Sequence, residues 1–243
     1  NIRTEDEVIR RELRLFEGDA FNRVLVDRAR RRLTALDYFD KIEFLEEPGS
    51  APDKITLVVQ LQEKSTGSIN FSVGFSTVEY VVGSVSLQER NFLGKGYNVK
   101  IDTQVSFKRQ NIDFAFTNPY FMGLPISAGI DLFATNSDNS EESSYESREV
   151  GGALRTGFRL DEYSSMTFRY GVSWRDIRGI DPTNASPAVI LTEGETIKSA
   201  LGVSYTWDNL DSPLRPTNGF RGQLVADVAG LGGEVGHAFD LDA

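Results

Sequence analysis

Side chains suited to catalysis or metal binding are scarce in this chain. His237 is the only histidine and cysteine is absent, which excludes disulfides, thiolate metal sites, cysteine nucleophiles and any two-histidine zinc motif. A serine hydrolase needs a positioned Ser and His, yet no Gly-x-Ser-x-Gly occurs and the one histidine lies close to the last residue. Gly94-Lys95-Gly96 lacks the spacing of a phosphate-binding loop. Asp102, Asp113 and Asp131 are carboxylates that a catalytic pair or a calcium site would use, but Arg155, Arg169 and Arg175 offer them ordinary ion-pair partners. The sequence therefore predicts no catalytic residues and no metal site.

The elements carrying those residues fall into two regions. With 26 basic against 36 acidic side chains the net charge is −10, which disfavours a nucleic-acid partner, because phosphates call for a basic footprint. No run approaches the roughly 18 apolar residues of a membrane-spanning helix. That leaves a membrane β-barrel open, since its strands alternate lipid-facing with lumen-facing residues. Residues 1–64 hold 12 Lys and Arg against 14 Asp and Glu; residues 65–243 hold 14 against 22, together with most of the 22 glycines.

The first region reads as α-α-β-β. Thr4-Glu5-Asp6-Glu7 has the form of a capping box before Val8, Ile9, Leu13 and Leu15. Glu17-Gly18-Asp19 breaks that helix, and Asn22 caps a second one with Val24, Leu25, Ala29, Leu33 and Leu36 on one face. A strand at Ile42, Phe44 and Leu45, a turn at Pro48-Gly49-Ser50 and an alternating strand from Ile55 to Leu61 follow. A lone hairpin is marginal, so a further strand is expected before Asn1.

From Ser65 onward nearly every segment alternates. The clearest is Ser165 to Arg175, with Met166, Phe168, Tyr170, Val172 and Trp174 on one face and Arg169 and Arg175 on the other. The same sorting occurs around Ile69, Val99 to Phe107, Ile112, Ile126 to Leu132, Leu154 to Leu160, Leu201 to Trp207, Phe220 to Val228, and Val235 to Leu241. Turn chemistry separates them at Asn91 to Gly96, Arg109-Gln110, Asn118 to Pro125, Ser137 to Tyr145, Asp161-Glu162, Arg178 to Glu195 and Asp208 to Gly219. Alternation alone also fits a soluble sandwich. Charged inward faces, aromatics near strand ends and strand lengths near the 9 to 11 residues of a tilted membrane strand favour lipid. Nine or ten such strands with an unpaired edge would not be tolerated in hydrocarbon, so either they close into a small barrel or, as expected here, further strands lie beyond this sequence, with a signal peptide before it.

Several stretches occur in a telling order: Arg3-Thr4 through Glu17-Gly18, Gly67 to Phe75, Asn91-Phe92-Leu93-Gly94-Lys95-Gly96, Thr117-Asn118-Pro119-Tyr120-Phe121, and Arg215-Pro216-Thr217-Asn218-Gly219. Together they resemble the BamA family of outer-membrane protein assembly factors over the whole chain. The resemblance implies an α+β POTRA domain at residues 1–64, the last of a series and lacking its first strand. It implies at 65–243 the amino-terminal strands of an all-β antiparallel transmembrane barrel of sixteen strands. It further implies a central subunit of the outer-membrane β-barrel assembly machinery, not an enzyme, that inserts and folds β-barrel proteins through a lateral seam by strand templating without nucleotide or cofactor, in the bacterial outer membrane with its POTRA domain in the periplasm. Its partners would be accessory periplasmic lipoproteins, unfolded β-barrel clients and the lipid bilayer.

The first barrel strand, Thr66, Gly67, Ser68, Ile69, Asn70, Phe71, Ser72, Val73, Gly74, Phe75 and Ser76, would be the lateral gate that receives a client strand. Arg10, Arg11, Glu12, Arg14 and Glu17 would dock a lipoprotein, with the hairpin edge at Lys41 to Glu46 as a second candidate surface. Asn118, Pro119, Tyr120 and Phe121, and Arg215, Pro216, Thr217, Asn218 and Gly219, would be structural turns. The family's late-loop Val-Arg-Gly-Phe signature is absent. The rival expectations are a TamA-like or two-partner secretion barrel and, from another class, a passive channel.

Overall fold

The computed structural model describes residues 3–52, 54–140, 145–180, 190–210 and 217–230, and the backbone of 237–242. It falls into two compact units: residues 1–68 with 89–98, and residues 69–88 with 99–243. The boundary expected at Lys64 thus lies inside the first unit, which also takes in a segment more than twenty residues further along the chain.

In the first unit, α1 (Asp6–Leu13) and α2 (Arg23–Leu36) precede an antiparallel hairpin of β1 (Phe39–Pro48) and β2 (Ile55–Glu63). Amphipathic spacing makes the helices: Val8 and Ile9 from α1 and Leu33 from α2 meet Tyr38 and Phe39 in one core, flanked by Ile42, Phe44, Val59 and Leu61 of the hairpin. Asn22 caps α2 as its residue type predicts, its Oδ1 accepting from the Val24 N–H at 2.9 Å. Val24 itself, expected on the buried face, is exposed, and Val26 is buried in its place. The expected capping box does not form. The N-cap of α1 is Glu5, with no side-chain bond, because the Thr4 hydroxyl is engaged elsewhere. Nor does α1 reach Leu15: Arg14 turns left-handed at φ 50°, and Arg32 of α2 donates to the carbonyls of Glu12 and Leu13 at 2.6 and 2.7 Å, satisfying acceptors the helix end leaves open.

The second architecture is a ten-stranded sheet: β3 (Gly67–Ser76), β4 (Tyr80–Phe92), β5 (Tyr97–Ser106), β6 (Arg109–Asn118), β7 (Ile126–Asp138), β8 (Glu146–Arg159), β9 (Ser164–Arg178), β10 (Gly194–Asp208), β11 (Arg221–Ala229) and β12 (His237–Asp242). Strands lie side by side in chain order, with β3 and β12 at the two ends. Every pairing with a defined register from β6 to β12 is antiparallel. An α+β module followed by an antiparallel β-sheet is thus the fold.

Two strand-level expectations need correction. β4 is not among the alternating segments read from the sequence: Gly83 interrupts the apolar face of Val81, Val85 and Leu87, and Ser84 and Ser86 opposite them give little contrast. Arg109 and Gln110, expected as a turn, begin β6, and the turn is Phe107-Lys108, closed by the Arg109 N–H donating to Ser106 Oγ at 2.8 Å. The expected loop segments 181–189 and 211–216 fall outside the described residues, as do Val235 and the side chain of His237.

Register sorts the sheet into two faces. Phe116, Ile130, Leu154, Tyr170, Leu201 and Val228 are successive partners across six strands, an unbroken apolar row. One residue along, Thr117, Gly129, Arg155, Arg169, Gly202 and Asp227 form a polar row. Because successive side chains in a strand point to opposite faces, each residue's face is fixed by the parity of its position. No helix among the described residues is long and apolar enough to cross a membrane.

Candidate functional site

The feature with the greatest chemical potential is backbone. Among the described residues β3 pairs with β4 on one side and has no strand on the other, so there it presents a row of N–H and C=O groups able to template another strand. Phe71 and Val73 are 75% and 82% exposed, and Ile69 and Phe75 are exposed with them. Such a strand is not stabilised by burial in this chain. Its far end is shaped by Ser76, whose Oγ accepts from the Val78 and Glu79 N–H groups at 3.2 and 3.3 Å. Gly74 has open space where a Cβ would stand, so close packing does not require glycine there; the smaller residue loosens the strand. Of the eleven residues expected in this strand, Thr66 is the exception. It is buried, precedes β3, and its hydroxyl bonds Glu89 at 2.5 Å.

The polar face of the sheet is a ladder of paired groups. Arg155 binds Asp131 through Nε and Nη2 at 2.6 and 2.8 Å and reaches the Thr117 hydroxyl at 3.1 Å. Arg169 approaches the same carboxylate at 4.0 Å, and Arg175 grips Glu149 at 2.6 Å. Lys100 pairs with Asp102 at 2.7 Å, and Asn111 donates to Asp113. The three acids considered for chemistry therefore lie on separate strands with separate partners, and Arg175 serves Glu149 rather than any of them. Gln104, Arg109, Asn111, Thr135, Glu149 and Arg175 line a cavity of about 420 Å³ on this face. Its walls are polar and internally bonded, as in a hydrated lumen.

Within the first unit, sequence reasoning missed a second cluster. The segment 89–98 carries Asn91, buried, whose Nδ2 donates to Thr4 Oγ1 and whose Oδ1 accepts from the Gly96 N–H, both at 2.8 Å. Glu5 N–H donates to the Gly94 carbonyl at 2.8 Å, an orphan amide of the α1 start satisfied by a residue some ninety positions away. Gly94 has φ +75°, and a Cβ there would stand 2.0 Å from the Arg3 carbonyl oxygen, so only glycine fits. Alongside, Arg90 binds Asp37 at 2.5 Å, Lys64 binds the same carboxylate, and the Tyr38 hydroxyl donates to the Arg90 carbonyl at 2.8 Å.

Hydrogen bonds from Lys64, then Arg90, hold the Asp37 carboxyl below the usual carboxylate range. Burial pushes the Tyr38 phenol up. At Glu63 burial acts upward, but the Arg3 and Thr4 N–H groups, each at 2.6 Å, bring the carboxyl below its ordinary value. The available sequence signal was the pair of glycines in Gly94-Lys95-Gly96, a backbone too tightly turned for an ordinary strand end.

The five residues expected to dock a partner do not share one surface. Arg10, Arg14 and Glu17 are exposed, with Arg10 pairing to Asp6 at 2.5 Å and lying 3.9 Å from Glu17. Glu12 is only 8% exposed and Arg11 is half-buried, its guanidinium packed beside Gly96. Helical spacing explains the split, since Glu12 follows Val8 by four residues and shares its inward face.

Of the turn motifs, Asn118 accepts from the Tyr120 N–H at 2.9 Å, opening a turn that continues through Pro119 and a short 3-10 segment from Phe121 to Gly123. Asn218 accepts from the Gly219 N–H at 2.8 Å, and Gly219 has φ +109° against the Asn209 backbone. Thr217 is in the described part; Arg215 and Pro216 lie outside the described residues.

Comparison with known proteins bears on both regions. A model described as the Omp85 superfamily domain matches residues 91–242, and one described as POTRA, surface antigen variable number repeat, matches residues 1–64. The outer membrane protein assembly factor BamA of Nitratidesulfovibrio vulgaris is 30% identical over 219 residues, covering 90% of this chain and 27% of that protein. The Neisseria meningitidis protein of the same name is 31% identical over 173 residues, covering 69% of this chain and 22% of that one. This chain thus spans about a quarter of either relative's length. Among solved structures, BamA from Haemophilus ducreyi lacking POTRA domains 1–3 superposes with a TM-score of 0.74 at 22% identity, over 95% of this chain and 46% of that one. CdiB from Acinetobacter baumannii follows at 0.54 and 12%, over 93% and 44%. At those identities the two structures share a fold with this chain.

Proposed function

The chain belongs to the Omp85 superfamily, and from that premise we propose that it is the portion of an outer-membrane assembly factor in which the last POTRA domain runs into the first strands of the barrel. In this reading the boundary near residue 64 separates a periplasmic module from a membrane wall, and further strands complete a sixteen-stranded barrel. The activity is insertion and folding of other β-barrel proteins by strand templating at β3, without nucleotide or cofactor.

One observation carries this reading: β3 terminates the sheet, and the chain before it is committed to the helical module. Any strand that closes the wall on β3 must come from elsewhere, and a seam of that kind can open. Insertion then needs no fuel. An unpaired backbone group in hydrocarbon costs several kcal/mol, so each hydrogen bond a client strand forms with β3 lowers the free energy of entering the bilayer. Each outward apolar side chain adds about 25 cal/mol per Å² removed from water. Accessory lipoproteins would dock on the exposed charges of Arg10, Arg14 and Glu17.

The test is a disulfide between Asn70→Cys and a cysteine on the closing strand of the full-length protein, in a background without other cysteines. The locked seam should abolish assembly of a client barrel in vesicles, and reduction should restore it. Normal assembly with the seam locked would refute templating at β3; a secretion barrel, which uses its lumen, would still pass its cargo.

A further inference from the structure

The turn joining β6 to β7 differs in charge from the β5–β6 and β8–β9 turns. No charged residue occurs from Phe114 to Ile130, whereas the β5–β6 turn carries Lys108 beside Arg109 and the β8–β9 turn carries Asp161 and Glu162. At its tip Met122 is 82% exposed, with Phe121 and Leu124 exposed on either side of it. We infer that this tip is a lipid-interface anchor, seated in the head-group layer at one face of the bilayer. The inference rests on the reading of the sheet as a membrane wall.

Backbone chemistry permits such a seat. An apolar environment tolerates a turn only if its polar groups are satisfied within it. Here Tyr120 N–H goes to Asn118 Oδ1, Gly123 N–H to the Tyr120 carbonyl at 3.3 Å, Leu124 N–H to the Phe121 carbonyl at 3.1 Å, and Ile126 N–H to the Leu124 carbonyl at 2.7 Å. Pro119 and Pro125 have no N–H to satisfy. The β8–β9 turn instead folds around a charge, with the Asp161 carboxylate accepting from the Tyr163 and Ser164 N–H groups.

Met122 has φ 54° and Gly123 φ 74°. A left-handed residue with a side chain costs about 1–2 kcal/mol that glycine avoids. A large apolar side chain held there, and exposed, is matched to a surface that can bury it.

The outward face of the sheet leads into this tip. Ile126, the first residue of β7, starts an apolar row through Phe158, Met166, Tyr205 and Leu224. Phe158 stacks on Phe168, and Tyr163 lies 5.9 Å from Trp207, an aromatic girdle of the kind that marks a membrane–water boundary. On β10 the outward residues run from Trp207 to Ile197, and Ile197 is paired to Trp174. Ten rises of about 3.4 Å each, tilted by about 40°, give about 26 Å, the height of a barrel's apolar band. The β6–β7 turn is thus an extension of the lipid-facing surface past its girdle, and its occupant is head groups and upper acyl chains, reached to about 5–10 Å as by interfacial amphipathic segments.

Because the chain contains no cysteine, Met122→Cys, Leu132→Cys and Glu162→Cys can each carry one environment-sensitive fluorophore. The full-length protein, cysteine-free elsewhere, is reconstituted in phosphatidylethanolamine–phosphatidylglycerol vesicles, and quenching is compared for aqueous iodide, head-group nitroxide and mid-chain nitroxide. The label at 122 should be quenched most by the head-group probe, with aqueous quenching severalfold below that at 162. Equal aqueous quenching at 122 and 162 would overturn the inference, as would shielding at 122 without quenching by either lipid probe, the signature of cover by protein. The label at 132, on the outward face of β7, should respond most to the mid-chain probe; if it does not, the membrane-wall reading itself fails rather than the anchor alone.

Discussion

The two units use the same apolar residue types in opposite ways. In the first, Leu33 has no exposed surface and Val8 almost none, and the charged residues other than Glu12 lie at least partly outside them. In the sheet, Leu132, Leu154 and Val172 look outward while Asp131, Arg155 and Arg175 pair on the other face. Each arrangement is the low-energy one for its solvent: apolar area is hidden from water in one case and, on the proposed membrane reading, offered to hydrocarbon in the other. The difference teaches that exposure by itself is not a defect. A row of apolar residues crossing six strands in register, exposed from Ile130 to Val228, is a surface with an intended solvent.

The comparison predicts that truncation harms one unit and charge the other. Leu33→Ala should cost the first unit about 2–5 kcal/mol, since a fully buried leucine leaves a cavity; hydrogen-exchange protection of the α2 amides reads it. Leu132→Ala should barely change folding of the sheet. Leu132→Arg should cost about 2–4 kcal/mol in a bilayer if the residue sits near the midplane, measured by reversible unfolding in vesicles. A neutral Leu132→Arg would mean that this face does not meet hydrocarbon, and the contrast between the units would dissolve.

How much of this was legible depends on the range of the interactions. The period-two pattern of Ser165 to Arg175 is local, and β9 matches it from Ser164 to Arg178. Asn22 was legible because its cap lies two residues away. Thr4 misled for the same reason: its local pattern offered a capping box, but Asn91 outcompeted it from a distance no spacing rule reaches. β4 was hidden because Gly83, Ser84 and Ser86 carry little hydrophobic contrast, and only its pairing in the sheet defines it. The edge status of β3 is a property of strand order. It was legible through the family resemblance, which implied where the barrel begins, while its backbone groups leave no residue signature of their own.

Asn91 sharpens the comparison, because it lies near the end of β4 yet belongs to the first unit. Asn91→Ala removes both the acceptor for Gly96 N–H and the donor to Thr4 in a buried setting. Leaving such groups unpaired costs about 1–3 kcal/mol. The loss should appear as faster exchange at Gly96 and through α1, with the β7 to β10 amides unchanged. Faster exchange in those strands instead would show that the segment 89–98 serves the sheet's stability rather than the module's.

The smallest effect is a pH dependence confined to the first unit. Asp37 has its carboxyl lowered by Lys64 and Arg90, so its folded-state value lies below its unfolded one. A group shifted in that direction contributes fully above the unfolded carboxylate value of about 3.9 and loses its contribution as pH falls through the folded value. The side chain is half exposed, and solvent screening limits the contribution to about 1 kcal/mol or less. Asp37→Asn keeps a residue that tolerates the left-handed φ of 60° found there, so it tests charge without adding backbone strain. The variant should be slightly less stable than the parent at pH 7, and the two should converge as pH falls well below 3.9, measured by exchange at the α2 and β1 amides. Glu63, lowered as well, leaves a residual acid loss in the variant, so a variant with no acid dependence at all would assign the whole effect to Asp37. A gap that persists unchanged at low pH would instead locate the role of Asp37 in its backbone turn.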